Sequence, residues 1–503
     1  MYLVFDVGTT SMKTGVFDQN FNTVYSHASE YQLLYPGKNL VELPAAFYWS
    51  ALKEGITDAL RFGVLPEEID AVTITTQGET LVPVDQNGEA LCNAIVWLDA
   101  RAEKEAAELN EKIDANEFFH TTGLTDLGAA APIAKLMWIR KNRPEVYEKT
   151  ACFLLLEDYL IYRLSGELVT EYSLLSSTGY FDITQNCYWQ GILEAAGIDP
   201  ALLPTPRKCA EVVGVVTSCA AQESGLKKGT PVTTGAMDQI AGAVGAGNIS
   251  PGIITETTGT CLVLAATAQT PDFDAVQGAF SVYKHFNDQY LYLPYNSTAA
   301  IILKWFKETF MADFAEKCAA TGSSVYQEMD RMAMNAPPGA NGLIMVPHFS
   351  GKLVPDFNAD AKGVFYGIGL DTTRSDFIRA VLEGIAYMLR ENMECLKKAG
   401  IAVEEIRSLG GGSRSDFWMQ IKADICGSRF VRTQQSEAGS LGAAMLGALA
   451  VRHYSSAGEI IEICTSASEA FWPDPQKKQT YDDTYRKYLL LYQALTEVYH
   501  APF

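Results

Sequence analysis

The chain has 503 residues, of which 48% are hydrophobic and 20% charged, and its formal net charge is −21. A chain of this length predicts two or three domains. Because so acidic a surface repels nucleic acid and anionic membranes, the charge argues against both as partners.

The start of the chain does not resemble a secretory signal, since Met1 to Asp6 has no basic region and ends on an acid. The longest apolar stretches, such as 442–451, are shorter than the ~18 residues that a membrane span needs. The ten cysteines are scattered without a C-x-x-C pair, and the six histidines have no zinc-site spacing. We therefore expect a cytoplasmic protein with free thiols.

The first elements predict a β-hairpin followed by a third strand. The runs YLVFDV and KTGVFD flank the turn residues Gly8 to Ser11, and a strand-like run follows Asn20. Three strands before any helix favour a mixed sheet over a doubly wound parallel sheet.

Strand-like and helix-like runs alternate along the rest of the chain, which predicts an α/β protein. Strands are expected at 71–76 and 80–85. Apolar residues recur at three and four positions in 100–113, 133–141 and 376–398, and this spacing predicts helices there.

A weak internal repeat divides the chain. Residues 253–264 follow the plan of the first hairpin, with β-rich arms around a Gly-Thr turn. Two such halves suggest two lobes that face one ligand, with a break near Asn248. We therefore predict an N-terminal lobe at 1–247 and a C-terminal lobe at 248–503.

The first turn has the composition of an anion site. A glycine such as Gly8 can adopt φ > 0, so that successive N–H groups point at one anion. Asp6 can hold Mg²⁺ through water, because this ion prefers carboxylates and keeps several waters. Hydroxyl and ammonium donors follow at Thr9, Thr10, Ser11 and Lys13. The alternative is an ordinary hairpin turn.

The second turn, Thr258-Gly259-Thr260, has the same two interpretations. A phosphate chain held from both sides needs two such turns. Two related hairpins in one chain are less common than one.

Asp238 follows a strand-like run at 231–234 and opens a predicted helix. A carboxylate there can accept a proton from a substrate hydroxyl. It can also cap the helix, a role worth about 1 kcal/mol. On spacing alone, the cap is the favoured interpretation.

Glycines at 410–412 lie between a strand-like run at 406–409 and a predicted helix at 417–426. They allow adenine to lie close to the backbone, or they form a tight βα loop. The chain has no P-loop, dinucleotide fingerprint or nucleophile elbow, which argues against those chemistries.

Together these segments resemble the FGGY family of carbohydrate kinases. The similar segments run in family order along nearly the whole chain: DVGTTSMK at 6–13, NAIVWLDARA at 93–102, PIAKLMWIRKNRPEVY at 132–147, GAMDQ at 235–239, ETTGT at 256–260, GVFYGIGLDTTRSDFIRAVLEGIAY at 363–387 and GGGSRSDFWMQIKADICG at 410–427. The resemblance implies the two-lobed actin/hexokinase-like (ribonuclease H-like) fold, with mixed sheets and a nucleotide cleft between the lobes. It also implies an ATP-dependent kinase that uses Mg²⁺.

The resemblance assigns roles to the candidate residues. Asp238 becomes the catalytic base, and Asp6 lies beside Mg²⁺. The substrate hydroxyls are held by Gln77, Glu79, Asp238 and Gln239. The nucleotide is held by Thr9, Thr10, Ser11, Lys13, Gly259, Thr260, Gly411 and Ser415.

The substrate is expected to be a small ketose, a pentulose such as D-xylulose, phosphorylated on a terminal hydroxyl. Gln77-Gly78-Glu79-Thr80 resembles the Gln-Arg-Glu-Thr of glycerol kinases, but the arginine is Gly78 here and their tyrosine falls at Ala130. The smaller side chains predict a wider pocket. Lys13 and the segment 97–101 resemble xylulokinases, although Glu79 departs from them. Glycerol or another polyol is the alternative.

Two other classes share this fold. Filament-forming and chaperone ATPases have no need of a sugar pocket, so Gln77, Glu79, Asp238 and Gln239 argue against them. A sugar sensor without catalysis is disfavoured by Asp238 and by both Gly-Thr turns. A homodimer is the assembly we expect, although no motif marks its contact surface.

Overall fold

The computed structural model describes residues 1–433, 437–465 and 469–501. Within these ranges, no helix is both long enough and apolar enough to cross a membrane.

The N-terminal half has strands β1 (Tyr2–Val7), β2 (Ser11–Phe17), β3 (Thr23–Glu30), β4 (Leu34–Gly37), β5 (Leu40–Leu43), β6 (Ala71–Thr76), β7 (Leu81–Val84), β8 (Ala94–Ile95), β9 (Cys152–Leu155), β10 (Val169–Glu171), β11 (Phe181–Asp182), β12 (Cys187–Tyr188), β13 (Thr205–Arg207), β14 (Val212–Val215) and β15 (Pro231–Met237). Its helices are α1 (Ala45–Phe62), α2 (Glu103–Lys112), α3 (Ala115–Thr122), α4 (Pro132–Asn142), α5 (Pro144–Tyr147), α6 (Leu156–Ser165), α7 (Tyr172–Leu175), α8 (Gln190–Ala196), α9 (Ser218–Ser224) and α10 (Asp238–Gly245).

The C-terminal half has strands β16 (Gly252–Thr258), β17 (Leu262–Ala268), β18 (Ser281–Lys284), β19 (Tyr290–Leu293), β20 (Tyr295–Asn296), β21 (Ile344–Val346), β22 (Val364–Tyr366), β23 (Val403–Leu409), β24 (Arg429–Arg432) and β25 (Glu469–Phe471). Its helices are α11 (Phe273–Val276), α12 (Ala300–Phe310), α13 (Ala312–Thr321), α14 (Val325–Ala333), α15 (Arg374–Lys398), α16 (Asp416–Cys426), α17 (Ala438–Ala450), α18 (Ala457–Thr465) and α19 (Lys478–Tyr499).

Each half contains a mixed sheet, and the two sheets share one plan. The first has the order β14-β15-β6-β1-β2-β3, and the second runs β18-β19-β17-β16-β23-β24-β25. In both, an antiparallel hairpin pairs through its first strand with a parallel strand, β6 or β23. The predicted mixed sheets and the repeat of the hairpin are therefore confirmed.

Three of the candidate residues lie along one edge of the first sheet, where its parallel strands end. Strands β1, β6 and β15 are parallel neighbours and are almost entirely buried. Because the carboxyl ends of parallel strands meet at one edge, Asp6, Gln77 and Asp238 lie along the same edge.

Most predicted element bounds agree with the structure to within a few residues. The predicted strand at 71–76 has those limits, and the helix predicted at 376–398 begins at Arg374. Thr373 and Asp376 form a capping box there, which explains the earlier start. The helix predicted from Ala100 begins only at Glu103.

Two helices cross where the halves meet. A Cβ added to Gly245 would lie 1.9 Å from the Ala438 oxygen, and one added to Gly442 would lie 1.9 Å from the Ala241 oxygen. Helices α10 and α17 therefore touch backbone to backbone. Helix α17 also packs on β1, β6 and β15, so it covers the N-terminal sheet although it comes from the C-terminal half. The division into 1–247 and 248–503 stays a prediction.

Candidate active site

A cavity of about 350 Å³ lies between the two halves, and four of the predicted site residues line it, including the predicted base. Its lining includes Asp6, Lys13, Asp238 and Gln239 from the N-terminal half, and Thr255, Thr257, Glu437 and Gly439 from the C-terminal half.

Asp238 is the first residue of α10, and Met237 occupies the N-cap position. The favoured interpretation of Asp238 as the cap is therefore wrong. Its Oδ1 accepts the Gln239 N–H at 2.6 Å. Burial raises the pKa of Asp238 to about 7, and the carboxyls of Asp6 and Glu79 contribute to the rise. A carboxyl with this pKa can exchange a proton near neutral pH.

Asp6 lies opposite Lys13 in the first hairpin. Burial raises the pKa of Asp6, while Lys13 opposes that rise. The Lys13 Nζ lies 2.5 Å from the Glu437 Oε2, so the ammonium joins the first hairpin to the segment before α17. A Cβ on Gly439 would lie only 3.0 Å from the Asp6 Oδ2, so the start of α17 approaches this carboxyl closely.

The expectation of φ > 0 at the Gly-Thr turns is wrong, because neither Gly8 nor Gly259, both described, has a positive φ. Their shared property is an open backbone face. Among the described residues, a Cβ on Gly259 would have no neighbour within 4 Å, and one on Gly8 would meet only the Ser11 oxygen at 3.4 Å. Each turn also carries predicted hydroxyl donors. Thr10 of the first turn is exposed, and Thr260 follows Gly259 in the second turn.

A buried ion pair supports the second turn. The Lys422 Nζ lies 3.0 Å and 3.1 Å from the two carboxylate oxygens of Glu256 and 2.9 Å from the Thr258 Oγ1, and both charged side chains are fully buried. Ser408 donates to the same carboxylate at 2.6 Å. The network therefore fixes β16, which ends at Thr258 immediately before Gly259.

The predicted sugar residues follow β6. Gln77 is buried, and its Oε1 has no partner among the described residues. Glu79 has φ +58°, a strained value for a non-glycine residue that is common at functional sites. A Cβ on Gly78 would lie 2.8 Å from the Ser177 Oγ, so Ser177 occupies part of the space that a side chain at 78 would need.

Lys135 lies beneath this segment and was not predicted as a site residue. It is fully buried, and its ammonium donates to the main-chain oxygens of Glu79 at 3.1 Å and Val96 at 3.0 Å. Burial raises the pKa of Glu79, and Lys135 opposes the rise. Lys135 thus fixes the main chain at Glu79 and favours the charged form of the Glu79 carboxyl.

Tyr283 was also missed, because it comes from the other sheet. Burial raises the pKa of its hydroxyl, and the Glu79 carboxyl adds to the rise. The Val282 N–H donates to the Gly123 oxygen at 2.7 Å, so β18 contacts the N-terminal half here. No local pattern in the sequence links Tyr283 to Glu79.

The segment 97–101 borders the first turn. The Trp97 Nε1 donates to the Thr9 Oγ1 at 2.9 Å. Arg101 binds both oxygens of the fully buried Asp99, at 2.8 Å and 2.7 Å. The Arg101–Asp99 pair holds the segment 97–101 in place, so the observed role of this pair is structural.

A second cavity, of about 520 Å³, contains the predicted adenosine residues Gly411 and Ser415. A Cβ on Gly411 would have no neighbour within 4 Å in the described part of the chain, so its backbone is open to a flat ligand. Ser415 also caps α16, since its hydroxyl accepts the Trp418 N–H at 3.0 Å. Asp330 and Tyr326 line the same cavity and were not predicted.

Comparisons with known proteins match this arrangement over both halves. The N-terminal domain of the FGGY family of carbohydrate kinases matches residues 1–245, and the C-terminal domain of that family matches residues 254–451. The chain belongs to the FGGY family of carbohydrate kinases.

Among similar family members, the xylulose kinase of Bacillus subtilis (strain 168) is 28% identical over 489 residues, covering 97% of this chain and 95% of that protein. The glycerol kinase of Thermococcus gammatolerans is 32% identical over 468 residues, covering 91% and 90%. The crystal structure of xylulose kinase from Rhodospirillum rubrum superimposes with a TM-score of 0.90 at 26% identity, covering 99% of each chain. The predicted family and the two-lobed fold are confirmed.

Proposed function

We propose that this carbohydrate kinase transfers a phosphoryl group from ATP to a terminal hydroxyl of a small neutral sugar, a pentulose such as D-xylulose. The observation that carries the proposal is the position of Asp238, which lines the interlobe cavity with a pKa of about 7. Similarity to xylulose kinases over nearly the whole chain supports the substrate class.

The reaction needs a group that takes the proton of the attacking hydroxyl. Asp238 in its charged form accepts that proton, and a well-placed base typically contributes ~10²–10⁴-fold to the rate. Phosphoryl transfer otherwise depends on positioning and on charge stabilisation. The open backbone faces of Gly8 and Gly259 suit contact with phosphate from the two lobes.

ATP and Mg²⁺ fit the residues present. The larger cavity, with Gly411 and Ser415, would take the adenosine. Asp6 would hold the metal through water, because it lines the reaction cavity while Lys13 is already paired with Glu437. The ion would offset phosphate charge.

The charges around the sugar residues favour a neutral substrate. Glu79 and Asp238 contribute carboxyls, whereas the ammonium of Lys135 is fully buried against main-chain oxygens. An acidic sugar would meet repulsion there. Glycerol or another polyol is the second candidate, because Gln77, Glu79 and Thr80 match glycerol kinases and a glycerol kinase is 32% identical.

We also propose a cytoplasmic homodimer. All ten cysteines, each in the described part of the chain, are unpaired, as expected in a reducing compartment. Tyr366, Ile368 and Leu370 are exposed apolar side chains within one short segment, which suits contact with a second copy.

The test is ADP release in a coupled assay against ketoses, polyols and aldonic acids, with wild type beside Asp238→Asn. Strong turnover with one ketose that the variant loses supports the proposal. Turnover with glycerol alone would show that the substrate is a polyol and not a pentulose. Preference for an aldonic acid would refute the inference that the substrate is neutral. ATP hydrolysis that no sugar stimulates would refute the kinase proposal.

A further inference from the structure

The strand that leads to Asp238 is interrupted just before it ends. β15 pairs with β6 in regular register up to Thr234, and the register shifts before Met237. A Cβ on Gly235 would lie 1.8 Å from the Ile74 oxygen, so the main chain approaches β6 too closely for any side chain. The irregular segment Gly235 to Met237 therefore determines where Asp238 begins α10.

Side chains from other elements bind the main-chain groups of this segment. The Gly235 N–H donates to the Glu157 Oε1 at 3.0 Å, and the Met237 N–H donates to the Ser173 Oγ at 3.0 Å. The Thr75 hydroxyl donates to the Ala236 oxygen at 2.5 Å. All three side chains are fully buried, so water cannot replace them.

The surroundings of Glu157 are unusual for a carboxyl. It lies on α6 with no exposed surface, and its Oε2 has no partner among the described residues. Burial raises the pKa of Glu157 well above its usual range, and the carboxyls of Glu171 and Asp158 add to the rise. In the described part of the chain Glu157 forms no ion pair, and a buried carboxyl without a cationic partner is kept neutral, so Glu157 binds the Gly235 N–H as a neutral acceptor.

We propose that Glu157 is a positioning residue for the phosphoryl transfer, which holds the main chain at Gly235 and thereby fixes the place of Asp238. The inference rests on the proposed role of Asp238 as the base. Ser173 acts with it at Met237, since its hydroxyl donates to the Glu171 Oε1 at 2.6 Å while it accepts the Met237 N–H.

The test compares Glu157→Gln with Glu157→Leu in sugar-dependent turnover. The glutamine keeps a neutral acceptor for the Gly235 N–H, so kcat should stay within about 3-fold of wild type. The leucine has similar size but no acceptor, and a displaced base should lower kcat by roughly 10²-fold with KM little changed. In an Asp238→Asn background, Glu157→Leu should lower kcat no further, because the two residues act as a unit.

Asp158→Asn is the matched control. Asp158 is the equally buried neighbour on α6, and its Oδ2 accepts the Leu155 N–H at 2.9 Å, so it caps the helix and makes no hydrogen bond to β15 among the described residues. The control should change thermal stability without the selective loss of kcat. Wild-type kcat in Glu157→Leu, or equal losses in the leucine and glutamine variants, would overturn the proposal.

A second measurement does not depend on the folding of the leucine variant. The infrared difference spectrum between wild type and Glu157→Gln at pH 7 should contain the band of a neutral carboxylic acid. A carboxylate band instead would refute the neutral acceptor. If wild type shows no sugar-dependent turnover, the proposed function fails. The spectrum still tests whether the Glu157 carboxyl is neutral.

Discussion

At the scale of single residues, the titration of Asp238 determines when the base is available. Its pKa is raised to about 7 by burial and by the carboxyls of Asp6 and Glu79. We predict that kcat/KM for the sugar rises with pH to a plateau above about 7, because only the charged form accepts a proton. Asp238→Asn should lower kcat by about 10²–10⁴-fold. The variant should also lose the acid limb of the profile, which is the fall in kcat/KM at low pH. Steady-state kinetics from pH 5.5 to 9 provide the check, and an unchanged acid limb in the variant would contradict the assignment.

The same shift makes a prediction about stability. The folded protein holds the Asp238 proton up to a higher pH than the unfolded chain, so this group lowers stability as pH rises from about 4 to about 7. Asp238→Asn should therefore raise the free energy of unfolding at pH 8 by about 1–2 kcal/mol, less than the full shift because the side chain is only partly buried.

Urea denaturation of both proteins at pH 8 and pH 5 measures this effect. The gain should shrink at the lower pH, where the wild-type carboxyl is protonated in the folded state. A variant less stable than wild type at pH 8 would show that Asp238 makes a favourable charged contact in the folded protein.

At the scale of elements, the crossing of α10 and α17 depends on missing side chains. Gly442→Ala would place a methyl group 1.9 Å from the Ala241 oxygen and 2.9 Å from the Gly245 nitrogen, so the helices must separate. We expect the free energy of unfolding to fall by about 1–3 kcal/mol. This loss exceeds the stabilisation that the higher helix propensity of alanine provides. Thermal unfolding provides the measurement.

Gly242→Ala is the matched control for stability. Gly242 lies on α10, but a Cβ there has no neighbour within 4 Å among the residues that the structure describes. This variant should be neutral or stabilised by up to about 1 kcal/mol. Equal destabilisation of both variants would show that the crossing is not the cause.

The elements show which features a local pattern can predict. The strand at 71–76 and the first hairpin follow from runs of β-forming residues around turn residues. The irregularity at Gly235 does not, because it depends on Glu157, which lies far away in the sequence. Lys135 and Tyr283 were missed for the same reason. The contact of Lys135 with Glu79 and the effect of Glu79 on the pKa of Tyr283 depend on how α4 and β18 pack.

At the scale of the whole molecule, the two halves share one apolar core. Tyr2 and Val4 of β1 belong to the same buried cluster as Leu441 and Met445 of α17. Alternate residues of β1, such as Leu3 and Phe5, belong to a second cluster on the other face. One face of the N-terminal sheet is therefore completed by a helix from the C-terminal half.

This arrangement predicts that residues 1–247 do not fold alone, although they form one lobe of the predicted division. Without α17, the fragment loses the buried contacts of Leu441, Met445 and Leu446. Each is worth about 1.5–3 kcal/mol, whereas a whole protein is stable by only about 5–15 kcal/mol. The fragment should bind a hydrophobic dye and unfold without a sharp transition. Linking residues 438–450 to it through a flexible glycine-serine segment should restore a cooperative transition, and a sharp transition in the unlinked fragment would establish 1–247 as an independent domain.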